Sequence, residues 1–92
     1  MGDIKCVLGK KISFTKERYI HITIRHPELD GKEQKIIKTL TNTDFVQESV
    51  YDKNVLLYYK LTGKSNYLVV AVKLLNNHGF IIAMNVVQYY GF

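Results

Sequence analysis

The second half of the chain is divided into four apolar segments by short breaks that favour tight turns. The breaks "DKN", "TGKSN" and "NNHG" contain glycine or asparagine and are short enough for hairpin loops. The segments between them are rich in valine, isoleucine, leucine and aromatic residues, as strands are. We therefore expect a four-stranded antiparallel meander, with strands in "FVQESVY" (45–51), "VLLYYK" (55–60), "YLVVAVKLL" (67–75) and "FIIAMNVVQYY" (80–90).

The first half is more charged and is expected to cover one face of this sheet. Apolar positions recur at helical spacing around "DGKEQKIIKTL", which predicts an amphipathic helix over about 31–40. The chain of 92 residues is long enough for one domain with one modest core. The expected fold is a single α+β domain over 1–92, with two N-terminal helices (about 15–40) packed on one face of the sheet (about 45–90).

The stretch "RYIHITIRHPEL" (18–29) is compatible with a strand or a helix. Its isoleucines alternate with polar residues, which is a strand pattern in β-branched residues. Thr15 is a good N-cap, and Glu17 would lie in the first helical turn. A helical stripe that ends before Pro27 comprises Tyr19, Ile20, Thr23 and Ile24. The helix is the better interpretation.

The basic side chains of this stretch have the chemistry of an acid–base site. Residues four apart share a face in a helix and in a strand, so His21 and Arg25 point the same way and His26 points elsewhere. Histidine, with a reference pKa of about 6.5, is suited to proton transfer near neutral pH. A fixed cation beside it holds a phosphate and offsets developing negative charge. The alternative is that both residues form an ordinary solvated face.

The net charge of +5 indicates an anionic partner, such as nucleic acid or a membrane surface, although plain solubility explains it equally well. Residues 54–92 contain Lys60, Lys64 and Lys73 but no acidic residue. The longest apolar stretch, "YLVVAV", is too short for a membrane-spanning helix, and no export signal is recognised at the N-terminus. One cysteine, Cys6, cannot form an internal disulfide, so a cytoplasmic setting without membrane contact is expected.

No metal or cofactor motif is recognised in the chain. The histidines His21, His26 and His78 lack H-x-x-x-H spacing, and no C-x-x-C or phosphate-loop pattern occurs. The "GKS" sequence at 63–65 is interpreted as a hairpin turn. We expect neither a metal ion nor a cofactor.

Two lysines on the predicted strands are candidates for contact with phosphate. Tyr58 and Lys60 share one face of their strand, where the ring could stack on a base unless it is buried in the core. Lys73 is expected on the open face or beyond the edge of the core, because a charge buried without a partner is unfavourable. Whether Lys60 and Lys73 meet depends on the hairpin register, which remains open.

The order of these pieces resembles the PBECR-type families, which are small phage and bacterial domains grouped with the barnase, EndoU, colicin and RelE-like nucleases. The resemblance covers about 15–83 and comprises "H-x-x-x-R-H-P-E" (21–28), a helix, "LYYK" (57–60), "YLVVAVK" (67–73) and "GFII" (79–82). In that family a threonine whose hydroxyl faces the site follows "GFII". This chain has Ala83 at that position.

The resemblance implies metal-independent RNA cleavage by attack of the 2′-hydroxyl on the adjacent phosphorus. His21 would be the acid–base residue, with Arg25 and His26 beside it, and Lys60 and Lys73 would stabilise phosphate charge. Tyr58, Lys64 and Asn85 are the candidate nucleic-acid-binding residues, and Tyr58 or Asn85 would replace the missing hydroxyl.

Three functions follow as hypotheses. The first is a metal-independent endoribonuclease, such as the toxic partner of a toxin–antitoxin or phage-related pair. The second, motivated by Ala83, is a module on the same scaffold that binds RNA or protein without cleavage. The third is a protein-binding domain, which would pair with an antitoxin-like or other protein through strand edges and the tyrosine-rich end "VVQYYGF".

Overall fold

The computed structural model describes residues 2–63 and 65–88. Two strands precede the helices, and four strands follow them. A single 3₁₀ turn, Pro27–Leu29, connects the two helices. In chain order the elements are β1 (Asp3–Lys5), β2 (Lys11–Ser13), α1 (Lys16–Arg25), α2 (Glu33–Thr41), β3 (Phe45–Glu48), β4 (Val55–Thr62), β5 (Asn66–Leu75) and β6 (His78–Gln88).

The strands form one six-stranded mixed sheet in the order β1-β2-β6-β5-β4-β3. The prediction of a four-stranded antiparallel meander preceded by two helices was therefore wrong. The strands β3 to β6 do pair antiparallel with their chain neighbours, but β2 pairs parallel with β6, and β1 extends that edge. The strands β1 and β2 are three residues each, which is too short for an alternating pattern to be recognised.

The parallel pairing of β2 with β6 depends on Gly79. In the β2–β6 register Ile12 lies opposite Gly79, and Ile12 is fully buried. A Cβ atom on Gly79 would lie 2.8 Å from Val72 Cγ1 and 3.0 Å from Ile12 Cγ1, closer than packed side chains allow. The turn before it is formed by Asn76 and Asn77, whose φ angles of 51° and 69° are typical of a two-residue hairpin loop. Gly79 is therefore a strand residue and not part of the turn.

The ambiguous stretch forms a helix, as expected. The Thr15 side chain caps α1 by accepting a hydrogen bond from the Arg18 backbone N–H at 3.1 Å. The prediction of the apolar stripe was wrong. Ile20 and Ile24 are 48% and 71% exposed, whereas Ile22 is the residue of this helix that is buried. The helix therefore contacts the core through one narrow line of residues and leaves most of its surface in solvent.

Both helices pack on one face of the sheet. Their buried side chains, Ile22 from α1 and Ile36 and Leu40 from α2, join a core with residues of β2, β4, β5 and β6; the sheet residues of this core are Ile12, Tyr58, Leu68, Val70, Val72, Ile81 and Met84. We call this side the helix side and the opposite side the open face.

In the described part of the chain no helix is long and apolar enough to cross a membrane.

Candidate functional site

A cleft of about 410 Å³ lies between α1 and β6. We call it the α1–β6 cleft. The helix and its C-terminal cap contribute most of its walls, and β6 contributes the remainder. The lining residues are Thr15, Glu17, Arg18, His21, Ile22, Arg25, His26, Ile82, Ala83 and Met84.

The helical repeat explains why three basic side chains line this cleft. Arg18, His21 and Arg25 are spaced i, i+3 and i+7, so they lie on one face of α1. Ile22 lies within the same stripe and is buried against the core, which orients that face toward β6. The expectation that His21 and Arg25 share a face is therefore confirmed.

His26 lies at the same cleft, contrary to the expectation that it points elsewhere. It is the C-cap of α1, with φ −129° and ψ 73°, so its backbone has left helical geometry and helical spacing does not apply to it. Its Nδ1 lies 3.1 Å from Glu28 Oε1. Hydrogen bonds from the Glu28 backbone and then from the His26 ring hold the pKa of the Glu28 carboxyl below its usual value. The ionised carboxylate accepts from Nδ1–H, so Nε2 of His26 is the basic nitrogen.

The remaining charges at the cleft are mostly positive and uncompensated. Within residues 2–63 and 65–88, neither Arg18 nor Arg25 forms an ion pair with an acidic side chain. Glu17 is the acidic residue of the lining, and its Oε1 lies 4.0 Å from His21 Nε2, beyond hydrogen-bond distance. Both side chains of that pair are largely exposed, which makes their attraction weak. The cleft is therefore suited to an anionic ligand.

A β-bulge in β6 changes the alternation of the strand next to Ala83. The β5–β6 register passes from Ala71↔Ala83 to Val72↔Ile81, so Ile82 is an extra residue. This β-bulge allows Ile81 and Met84, three residues apart, to be buried on the same side. The register pairs Ala83 with Ala71 on the open face, where it lines a second pocket with Asn85. Ile82 and Ala83 also contribute to the lining of the α1–β6 cleft. The residue at which this sequence departs from the resembled family pattern therefore lies where β6 borders the cleft, at a register position on the open face.

Lys60 does not lie at the α1–β6 cleft. It is on the helix side of β4, where it lines a separate cleft with Lys35 and Lys38 of α2. Its Nζ lies 3.3 Å from Asp44 Oδ1, while Asp44 Oδ2 accepts from the Leu61 backbone N–H at 2.6 Å. The Leu61 hydrogen bond, followed by Lys60, lowers the pKa of the Asp44 carboxyl despite some desolvation.

We expect Asp44→Asn to weaken the dependence of the free energy of unfolding on pH in the acidic range. Because the pKa of Asp44 is lower in the folded state, its contribution is present above the unfolded value of about 3.9 and is lost as pH falls through the folded value. Because the Asp44 side chain is 38% exposed and partly screened by solvent, the variant should be less stable than wild type by at most about 1 kcal/mol at pH 7 and nearly equal to it at pH 2. Chemical denaturation at both pH values measures this difference.

The control for this prediction is Glu48→Gln. Glu48 ends β3, and its side chain forms no hydrogen bond or ion pair with the described residues, so this variant should follow wild type at both pH values. A constant gap between Asp44→Asn and wild type from pH 7 to pH 2 would contradict the assignment.

Lys73 is on the open face, as expected, and does not meet Lys60. The register pairs Lys73 with Val55 and Lys60 with Leu68, so the lysines lie on opposite faces of the sheet and at different positions along it. The Lys73 amine donates to the Asp52 carboxylate, and this hydrogen bond is the first cause of the lowered pKa of Asp52. Neither lysine is brought to His21.

The three candidate nucleic-acid-binding residues do not form one site. Tyr58 is fully buried on the helix side, with its hydroxyl 3.2 Å from Cys6 Sγ, so its assignment as an RNA-stacking residue was wrong. Burial, followed by the Cys6 thiol, raises the pKa of the Tyr58 hydroxyl. Asn85 is exposed on the open face, beside Val69 in the register. Lys64 lies outside the described residues, as do the last two residues of the predicted fourth strand.

An aromatic cluster lies on the open face of the sheet, next to Tyr58 in the chain and in the strand pairing. Tyr59 alternates to the open face, where its ring stacks on Phe45 with a centroid distance of 4.4 Å. Tyr67 packs edge-on against both rings, at 5.5 Å and 6.0 Å. Strand alternation placed Tyr58 and Tyr59 on opposite faces but did not identify the face that the helices cover.

Arg18 and Glu17 are cleft residues that our sequence analysis missed as candidates. The signal for Arg18 was its spacing of three and seven residues from His21 and Arg25 in a predicted helix. The signal for Glu17 was its position four residues before His21. Helical geometry predicts that both residues lie on the same side of α1 as His21, once the helix is preferred to the strand.

Among residues 2–63 and 65–88, no three side chains of the His, Cys, Asp and Glu types lie close enough to hold a metal ion. Comparison with models of protein families, with curated proteins and with solved structures found no match for this chain.

Proposed function

We propose that the protein is a metal-independent endoribonuclease whose active site is the α1–β6 cleft. The observation that supports this is the convergence of two imidazoles, His21 and His26, with two guanidinium groups, Arg18 and Arg25, in one cleft. Proton transfer and charge stabilisation are the two requirements for cleaving RNA through its own 2′-hydroxyl.

The residues divide into roles as follows. One imidazole removes the proton of the 2′-hydroxyl as its oxygen forms a bond to phosphorus. The other imidazole protonates the departing 5′-oxygen as the bond between phosphorus and that oxygen breaks. The guanidinium groups hold the phosphate and stabilise its developing charge. The products are a 2′,3′-cyclic phosphate and a 5′-hydroxyl.

The family resemblance supports the same site. Three of the five catalytic residues that it implies, His21, Arg25 and His26, line the α1–β6 cleft. Lys60 and Lys73 have no role in this proposal, because Arg18 and Arg25 supply the cations. A toxin-like or phage-related role in the cytoplasm agrees with the resemblance and with the free thiol of Cys6.

The test is incubation of the purified protein with labelled single-stranded RNA of mixed sequence in excess EDTA, beside DNA of the same sequence. We expect RNA fragments with cyclic-phosphate ends and intact DNA, because only RNA carries the attacking hydroxyl. Cleavage of both substrates would contradict the mechanism. Intact RNA at stoichiometric protein would contradict nuclease activity.

The second candidate function is an RNA-binding module that does not cleave. It is favoured by Ala83, which lines the cleft without the hydroxyl that the resembled pattern carries there. Salt-dependent RNA binding without cleavage, unchanged in His21→Ala, would support this function. The absence of RNA binding at low salt would contradict it.

A further inference from the structure

Two smaller clefts extend from the α1–β6 cleft along the helix side of the sheet. The first, of about 130 Å³, is lined by Lys32 and Lys35 and by Thr62 at the end of β4. The second, of about 250 Å³, is also lined by Lys35 and Thr62, and it adds Lys38 and Lys60. Because they share Lys35 and Thr62, the two clefts form one groove, which we call the lysine groove.

The lysine groove adjoins the α1–β6 cleft at two places. Glu28, which lines the groove, accepts the hydrogen bond from His26 at 3.1 Å, and His26 lines the cleft. On the sheet, Met84 lines the cleft and Val86, two residues further along β6, lines the groove. The cleft and the groove therefore lie next to each other on the helix side of the sheet.

The charge of the lysine groove is positive and only partly compensated. Its four lysines face two nearby carboxylates, each already bonded: Glu28 to His26 and Asp44 to Lys60. Within the described part of the chain, Lys35 and Lys38 form no ion pair and are exposed. These two amines are available to a polyanion.

The dimensions of the groove are suited to one strand of nucleic acid. From β6 to β4 it crosses two strand spacings, roughly 10 Å. A stacked strand carries a phosphate about every 3.4 Å of axis, so this distance spans about three phosphates of a stacked strand and fewer of an extended one. A positive groove that follows the backbone is the usual way in which single strands are bound without sequence preference.

We propose that the lysine groove binds the phosphate backbone of the RNA that flanks the nucleotide held in the α1–β6 cleft. This inference rests on the proposed function, because it assigns the strand to the same site. It also explains the position of Lys60, which acts on the flanking strand and not on the reacting phosphate.

The test compares two double variants that remove the same charge. Lys35→Ala/Lys38→Ala removes the two exposed amines of the groove. Lys5→Ala/Lys11→Ala is the control, because these lysines lie opposite each other in β1 and β2, away from the groove. The ligands are 2′-O-methyl RNA of two and of eight nucleotides, which lacks the attacking hydroxyl. Affinity is measured by fluorescence anisotropy for the octamer and by NMR titration for the dinucleotide, over a range of salt.

We expect the groove variant to bind the octamer about 10–100-fold more weakly than the control variant does at low salt. The slope of log K against log salt should fall by about 1.4 in magnitude, which is two lost phosphate contacts at about 0.7 each for a single strand. Dinucleotide binding should change less than twofold, since a dinucleotide occupies the α1–β6 cleft alone.

Equal octamer affinity for the two double variants would overturn the proposal, and so would an equal loss for both RNA lengths. Competition by polyglutamate as strong as that by the octamer would assign the groove to an acidic protein instead. The outcomes are separable from those of the nuclease test. If the wild-type protein does not cleave RNA but the groove variant loses octamer affinity as expected, the groove proposal is supported and the nuclease proposal is contradicted. If the wild-type protein cleaves RNA but the groove variant keeps its octamer affinity, only the nuclease proposal is supported.

Discussion

His21→Ala is expected to lower the rate of RNA cleavage by about 10²- to 10⁴-fold, the usual contribution of a general acid or base. His21 is exposed at the α1–β6 cleft, so its removal should leave folding intact. RNA affinity should fall far less than the rate, because Arg18 and Arg25 still hold the phosphate. Single-turnover cleavage in EDTA, with a separate binding measurement, distinguishes the two effects.

The matched control is Lys16→Ala, which removes a cation from the same helix but not from the cleft lining. It should retain the wild-type rate within about threefold. His26→Ala should lose activity to a similar degree as His21→Ala. The double variant should lose little more than either single variant, because the two imidazoles act as a unit. An active His21→Ala protein would exclude this imidazole from catalysis and contradict the roles assigned to the α1–β6 cleft.

Tyr58→Ala is expected to lower the free energy of unfolding by about 3–5 kcal/mol, the range for removing a buried aromatic side chain. Tyr58 is fully buried among residues of the helix-side core. Because small domains are stable by about 5–15 kcal/mol, this change would remove a large part of the total. Urea denaturation followed by circular dichroism measures it.

Tyr58→Phe separates the ring of Tyr58 from its hydroxyl. This variant loses only the contact with Cys6 Sγ at 3.2 Å and should cost about 0.5–1.5 kcal/mol, the range of a typical hydrogen bond. Its RNA affinity should equal that of wild type, because the ring does not reach the surface. Reduced RNA binding by a fully folded Tyr58→Phe protein would contradict the burial of this residue.

The predictable part of the fold is the part held by local signals. Thr15 before a helical pattern and Pro27 after it delimit α1, and the hairpin at Asn76 and Asn77 follows from their tolerance of positive φ. The spacing of His21 and Arg25 likewise determines that they share a face in any helix. These features depend on residues within about seven positions of one another.

The remainder depended on contacts between distant parts of the chain. The strand β2 forms because residues 11–13 pair with residues 78–80, and no local pattern marks a three-residue strand. The position of His26 at the cleft depends on a C-cap conformation outside regular helical geometry. The bulge at Ile82 shifts Ala83 to the open face of the sheet, whereas strict alternation would have put it on the side of Ile81.

The amino-acid sequence by itself determined that basic side chains of α1 lie together and that four hairpin-forming strands follow, because helix and strand periodicities are properties of the local backbone. Only the tertiary structure decided which face of each strand is buried. That choice is made by packing against the helices, so it buried Tyr58 and separated Lys60 from Lys73. It also decided which residues join His21, since the position of β6 beside α1 depends on pairing and packing between distant parts of the chain.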